Sequence, residues 1–145
     1  MSIPPTGRVI AIDWGEIRLG LALSDETQLL ATPLDTLVRR AGKRFPMPAF
    51  LEHVARSHPV GILVGLPLTP EGTETASARA ARELADVVAR RTGLPTELLD
   101  ERLTTARAHR EIVAQGGTAR GRREEVDALA AAVLLQNFLD IRRHA

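Results

Sequence analysis

Two β-type runs stand close together near the start of the chain, and their closeness constrains the fold more than any other feature. Arg8–Asp13 is apolar and β-branched (Val9-Ile10-Ala11-Ile12). Arg18–Ser24 alternates, with Leu19, Leu21 and Leu23 on one face and Gly20, Ala22 and Ser24 on the other. Strands this near in sequence predict an antiparallel hairpin, turned at Gly15-Glu16. A weaker third strand covers about Leu29 to Val38, and Pro33 within it predicts an edge position or a bulge.

The pattern then changes. Met47–Ser57 has Phe50, Leu51, Val54 and Ala55 spaced for one helix face. Val60–Val64 reads as a short buried strand, Gly65–Gly72 as a loop, and Thr75–Arg91 as a long helix ended by Gly93. Thr96–Leu99 reads as a strand, Thr104–Ala114 as a helix stopped by Gly116-Gly117, and Glu124–Ile141 as the last helix. Strands first and strand–helix units afterwards imply an α/β fold. The expected sheet is mixed and five-stranded, with the first three strands antiparallel, the rest parallel, and helices on its faces.

Length and composition narrow the function. The 145 residues fit one domain, 1–145, with its own core. No cysteine is present, which excludes disulfides, thiol catalysis and Cys-based zinc sites. No apolar run approaches the length of a membrane span, and the N-terminus lacks a signal-peptide pattern, so a cytoplasmic protein is expected. One Trp, three Phe and no Tyr argue against a base-stacking platform built from aromatic rings. Net charge is +1, but Arg39, Arg40, Lys43 and Arg44 form one basic cluster and Arg120, Arg122 and Arg123 another. Each alone reads as solvated loop charge; beside an anionic metal site the two would position phosphates.

Three carboxylates stand out. Asp13 ends one apolar run, Glu101 ends another, and Asp127 opens the apolar stretch Asp127-Ala128-Leu129-Ala130-Ala131-Ala132-Val133-Leu134-Leu135. A carboxylate at the end of a buried element is costly unless it is paired or binds a cation. Each has a local alternative. Asp13 near Gly15 is a turn signal, and Arg18 is either an exposed strand residue or a partner for Asp13. Glu101 precedes a helix capped by Thr104 or Thr105, with Arg102 free to pair with Asp100 or Glu101. Asp127 follows Glu124 and Glu125, which already suit the positive end of a helix. The Gly/Pro loop leading to Thr75 has no Gly-Lys-Ser/Thr and is not a P-loop. His53, His58, His109 and His144 do not form a metal set.

Read in order, the motifs are more specific than any one of them. Asp13-x-Gly15-x-x-Arg18-x-Gly20, Ser24-Asp25, Ala31-Thr32-Pro33-Leu34 and Val64-Gly65-Leu66-Pro67-Leu68 come first. Gly72-Thr73-Glu74, Asp100-Glu101-Arg102-Leu103-Thr104-Thr105 and Asp127-Ala128-x-Ala130-Ala131 follow. Together they span nearly the whole chain, which resembles the YqgF/RuvX family of the ribonuclease H-like superfamily. That family is described both as Holliday junction resolvases and as nucleases of pre-16S ribosomal RNA.

The resemblance implies a ribonuclease H-like fold and a metal-dependent nuclease acting on structured nucleic acid. Maturation of the 5′ end of pre-16S rRNA in ribosome biogenesis is the first reading, and resolution of branched DNA the second. It further implies that Asp13, Glu101 and Asp127 are the catalytic and metal-binding triad. They would hold two Mg²⁺ or Mn²⁺ ions, and Arg18 and Arg102 would orient carboxylates or grip phosphate. Arg120, Arg122 and Arg123 fall where the family carries a flexible loop. Trp14 departs from the smaller apolar residue usual between Asp and Gly. Either a monomer or a homodimer fits. Two rivals are a phosphotransferase of the actin and sugar-kinase type, for which the chain is short, and a non-catalytic RNA-binding module.

Overall fold

The computed structural model describes residues 2–15, 18–39, 45–103 and 123–144. Five strands and three helices are present among them: β1 (Val9–Asp13), β2 (Arg18–Ser24), β3 (Ala31–Val38), α1 (Met47–Ser57), β4 (Gly61–Leu66), α2 (Ala76–Thr92), β5 (Thr96–Asp100) and α3 (Arg123–Arg143). A single 3₁₀ turn, Glu101–Leu103, follows β5 directly. The helix expected over Thr104–Ala114, His109 on it, and Arg40, Lys43, Arg44, Arg120 and Arg122 lie outside the described residues. Arg123 opens α3.

The sheet runs β3-β2-β1-β4-β5. β1–β2 and β2–β3 pair antiparallel, and β1–β4 and β4–β5 pair parallel. This is the mixed sheet expected from the sequence. β3 is an edge strand, and its register with β2 slips between Leu21 and Ala22, so that Leu21 faces Asp35 while Ala22 faces Pro33. Both options offered by Pro33 are therefore realised, because a residue without an N–H suits a bulge on an edge. β4 and β5 run further than expected. Gly65 pairs with Leu99 and Leu66 with Asp100, which carries the ladder to the doorstep of Glu101.

Strand alternation divides the core in two. On one face Val9, Ala11, Ala22 and Leu63 meet Ala131, Leu135 and Phe138 of α3. On the other Ile10, Ile12, Leu19, Leu21 and Val64 meet Phe50 of α1 and Ala81, Leu84 and Val88 of α2. The helix ends follow local chemistry. Thr75 caps α2 by accepting from the Ala78 N–H, and Gly93 ends it with φ of 72°, a left-handed conformation that glycine adopts without strain. α1 begins beside Pro46 and Pro48 and stops at His58, just before Pro59. α3 is buried on every side from Ala131 to Leu139, Gln136 and Asn137 included. Gln136 is satisfied there: its side-chain oxygen accepts from the Ala31 N–H at 2.9 Å and its amide donates to the Leu29 carbonyl at 3.0 Å.

Candidate active site

Asp13 stands at the C-terminal end of the central strand, opposite Gly20 of β2. By parity with Val9 and Ala11 its side chain belongs to the α3 face. Glu101 lies two strands away, just past β5, with β4 between. Gly65 makes the crossing possible. A Cβ on Gly65 would lie 2.8 Å from Glu101 Oε1 and 2.9 Å from Leu134 Cδ2. The missing side chain thus opens a channel over β4, through which the Glu101 carboxylate reaches a hydrogen bond with Asp13.

Asp127 arrives from the other side. A Cβ on Gly20 would meet the Asp127 carbonyl oxygen at 1.8 Å and the Ala128 nitrogen at 3.1 Å. Only glycine lets α3 lie directly on β2 at Asp127 and Ala128. Its carboxylate accepts a hydrogen bond from Arg18 Nε at 2.6 Å, an ion pair in which both side chains are partly exposed. Two glycines on the strands flanking β1 therefore seat the two carboxylates that flank Asp13.

The electrostatics follow from this packing. Burial raises the Asp13 carboxyl, and the hydrogen bond to Glu101 and the charges of Glu101 and Asp127 raise it further, from the ordinary 3.8 to about 9. A raised carboxyl of this kind favours the neutral form of Asp13 beside Glu101. Among the described residues no group of three or more His, Asp or Glu side chains is placed to hold a metal ion. Asp127 is turned to Arg18 instead. The Asp13–Glu101 pair on its own suits a hard cation: two oxygen donors in contact, drawn together in a buried setting.

Arg18 takes Asp127 as its partner, not Asp13. The sequence indicated its strand face but not which carboxylate α3 would deliver. Arg102 grips Asp100 with Nε at 2.9 Å and Nη2 at 2.6 Å, and donates Nη1 to the Pro70 carbonyl at 3.2 Å. It also packs over Gly72. Arg102 thus ties the loop that follows β4, residues 67–75, to the end of β5 and orients Asp100 in place of Glu101. Trp14 packs with the core on the α1/α2 face, and the Arg39 guanidinium lies over its ring, 4.3 Å from the centroid. Gly20, Gly65 and Arg39 carry roles that the sequence reading did not assign. The signal for the two glycines was their fixed place within the Asp13 and Val64 motifs.

Comparison with known proteins agrees with this architecture. The RuvC of T. thermophilus in complex with a Holliday junction substrate matches with a TM-score of 0.65 at 20% identity, over 96% of this chain and 97% of that one. The yeast mitochondrial Holliday junction resolvase Ydc2 matches with a TM-score of 0.58 at 13% identity, over 94% of this chain and 79% of that one. At these identities the likeness establishes the fold. Sequence relatives are nearer. A protein of Anaeromyxobacter sp. (strain Fw109-5), named "Putative pre-16S rRNA nuclease", is 46% identical over 95% of this chain and 99% of its own length. One of Mycobacterium leprae (strain TN) with the same name is 41% identical over 94% of this chain and 74% of its own. The family model described as "RuvX: Holliday junction resolvase" matches residues 7–141. A match of that extent, on a ribonuclease H-like sheet with relatives aligned over most of their length, means that this chain belongs to the RuvX family.

Proposed function

We propose that this protein is a metal-dependent nuclease that cleaves phosphodiester bonds in structured nucleic acid, with Asp13, Glu101 and Asp127 as its acidic centre. The observation that carries the proposal is the Asp13–Glu101 pair, a buried carboxyl pushed up to about 9 by burial and by its like-charged neighbours. A divalent cation between the two carboxylates would relieve that repulsion.

In this reading Asp13, Glu101 and Asp127 would hold two Mg²⁺ or Mn²⁺ ions. Divalent ions held there would supply an activated water and stabilisation of the departing oxygen. The chain's own groups do the rest. Asp13 and Glu101 would supply the two adjoining oxygen donors. Gly65 keeps the path over β4 open for Glu101. Arg18 fixes the aim of Asp127 and lies beside the site, where a cation can meet a phosphate. Arg102 holds the loop that follows β4 against the end of β5.

The substrate reading is the 5′ end of pre-16S rRNA, favoured by relatives that align over nearly their full length under that name. Holliday junction resolution is the second reading, favoured by the family description. A resolvase requires two centres and hence a dimer; rRNA maturation does not. No helix among the described residues is long and apolar enough to cross a membrane.

The test is Mn²⁺-dependent cleavage of an rRNA precursor fragment and of a four-way DNA junction, with product lengths read on a gel. Asp13→Asn is expected to lower the rate on the true substrate on the order of 10²–10³-fold or more, as loss of one preorganised charge partner does elsewhere. Unchanged cleavage by the variant would defeat the assignment. The substrate that is cut at a defined position decides between the two readings.

A further inference from the structure

We propose that the cleft between the last turn of α1 and the start of β1 binds a nucleoside monophosphate, with the phosphate on Arg8 and Arg56 and the nucleoside on an apolar floor. Arg8 precedes β1 and Asp13 ends it. Five residues of strand, roughly 17 Å, therefore separate this cleft from the acidic centre, and the inference stands apart from the nuclease reading.

The cleft follows from how the chain leaves α1. His58 ends the helix in the left-handed region, with φ of 51°. The chain then rejoins the sheet, and the Val60 N–H donates to the Arg8 carbonyl at 2.7 Å. Gly7 has φ of 103°, and a Cβ there would lie 2.4 Å from Val60 Cγ1, so only glycine admits Val60 at this point. The Gly7 N–H donates to the Glu26 carbonyl at 2.7 Å, which draws the β2–β3 turn alongside. Three chain segments thus converge on one hollow of about 1170 Å³, ample for a nucleotide and its water.

Floor and rim differ in chemistry. Leu23, Leu34 and Val60 make the floor. The rim is basic. Val9 belongs to the α3 face, so alternation puts Arg8 on the α1 side, where it lines the cleft with Arg56. Among the described residues neither arginine is paired with a carboxylate, whereas Arg18, Arg82, Arg102 and Arg143 each are. The negative end of α1 accounts for a cation at Arg56, in its last turn, but not for Arg8, which no helix presents. Two guanidinium groups without a counter-ion on one hollow suit a phosphate.

His53 makes a fixed wall. Its Nε2–H donates to Asp35 Oδ2 at 2.7 Å, and Asp35 Oδ1 accepts from the Thr36 N–H at 2.8 Å. The imidazole is thereby locked between α1 and β3 where it lines the cleft. Glu26 is the one carboxylate on the lining among the described residues, and an acceptor of that kind suits ribose hydroxyls. Basic rim, lone acceptor and apolar floor match the three parts of a nucleotide: phosphate, sugar and base.

Histidine resonances report on this cleft. The chain has four histidines; His53 and His58 line the cleft, and His144, just past α3, serves as the reference. The full-length, metal-free chain is titrated at fixed pH with adenosine 5′-monophosphate, adenosine, inorganic phosphate and a 5′-phosphorylated single-stranded oligonucleotide, and NMR follows the imidazole C–H signals. His53→Gln and His58→Gln assign them. The monophosphate is expected to move the His53 and His58 signals, to leave His144 still, and to bind more tightly than adenosine or phosphate alone. Arg8→Gln combined with Arg56→Gln is expected to weaken it by roughly tenfold or more, the scale of charge-assisted hydrogen bonds. An oligonucleotide that moves the same signals at lower concentration gives the site to a strand end, and one that does not gives it to the free nucleotide. His53 and His58 signals unmoved by millimolar monophosphate would overturn the site, whatever the double variant does. Adenosine binding as tightly as the monophosphate would overturn it too, as would unchanged affinity in a folded double variant.

Discussion

Asp13 and Asp25 close consecutive strands of one hairpin, at opposite ends of the sheet, and their surroundings are opposites. For Asp25 burial acts to raise the carboxyl, but the Thr27 hydroxyl and the Leu30 and Leu29 N–H groups outweigh it and hold it below the ordinary 3.8. The Leu29 and Leu30 N–H groups donate to its Oδ1 at 2.9 and 3.1 Å. Asp13 has burial and two like charges acting in the same direction, and it is raised to about 9. Asp100 sides with Asp25, lowered by the hydrogen bonds from Arg102. Carboxylates that build turns are ringed with donors. The carboxylates at the end of β1 are crowded together, which costs stability and suits a cation.

The widest gap between the two ends should appear in the pH dependence of stability. Folded Asp13 keeps its proton up to about pH 9, whereas the unfolded chain releases it near 3.8. Between those values the unfolded state binds fewer protons, so metal-free stability falls as pH rises, by as much as about 1.4 kcal/mol per pH unit. Thermal melts in EDTA from pH 5 to 9 should show the decline. Asp13→Asn should flatten it without lowering stability at neutral pH, because the amide still hydrogen-bonds Glu101 and carries no charge. Added Mg²⁺ or Mn²⁺ should raise the melting temperature most where Asp13 is most easily deprotonated. A wild-type curve as flat as that of Asp13→Asn would erase the contrast.

A mechanical version of the contrast lies in the glycines. Gly20→Ala places a Cβ 1.8 Å from the Asp127 carbonyl, so the start of α3 must move. Overpacking of this kind costs about 1–3 kcal/mol, and the displacement also carries Asp127 away from Asp13. Gly93→Ala meets nothing within 4 Å and is penalised only for its positive φ, by about 1 kcal/mol. Urea melts should rank Gly20→Ala below Gly93→Ala, and Mn²⁺-dependent cleavage should suffer only in the first. Equal loss of cleavage in both would mean that α3 does not set the site.

These residues also mark what the sequence makes legible. Asp13, Glu101 and Asp127 are visible because each interrupts or terminates an apolar run, where a charge is conspicuous. The hairpin, the edge position of β3 and the Gly93 cap are equally visible, since local periodicity and backbone preference determine them. Contacts across the sheet are not local. Arg18 and Asp127 are 109 residues apart, and their pairing depends on where α3 crosses β2. The reach of Glu101 over Gly65 depends on strand order, which periodicity does not encode. A glycine needed for close approach looks like any other glycine until its neighbour arrives. The stacking of Arg39 on Trp14 was hidden for the same reason: the two residues meet only after β3 has folded back along β2.

The smallest effect tests the other end of the hairpin. Asp25→Ala leaves the Leu29 and Leu30 N–H groups and the Thr27 hydroxyl without their acceptor, in a turn already committed to a positive φ at Gln28. Those groups sit near water, so the cost is about 1–2 kcal/mol at neutral pH. The sign of its pH dependence is opposite to that of Asp13. A carboxyl with a lowered folded value stabilises above its unfolded value and loses that contribution as pH falls through the folded one. The difference in melting temperature between wild type and Asp25→Ala should therefore be full at pH 7 and shrink below about pH 4, near the ordinary value for an Asp. Asp13→Asn should differ from wild type most in the alkaline range instead. If both variants responded to pH in the same direction, the two ends of the hairpin would not be specialised, and the crowding at Asp13 would lose its claim to be a site held ready for a cation.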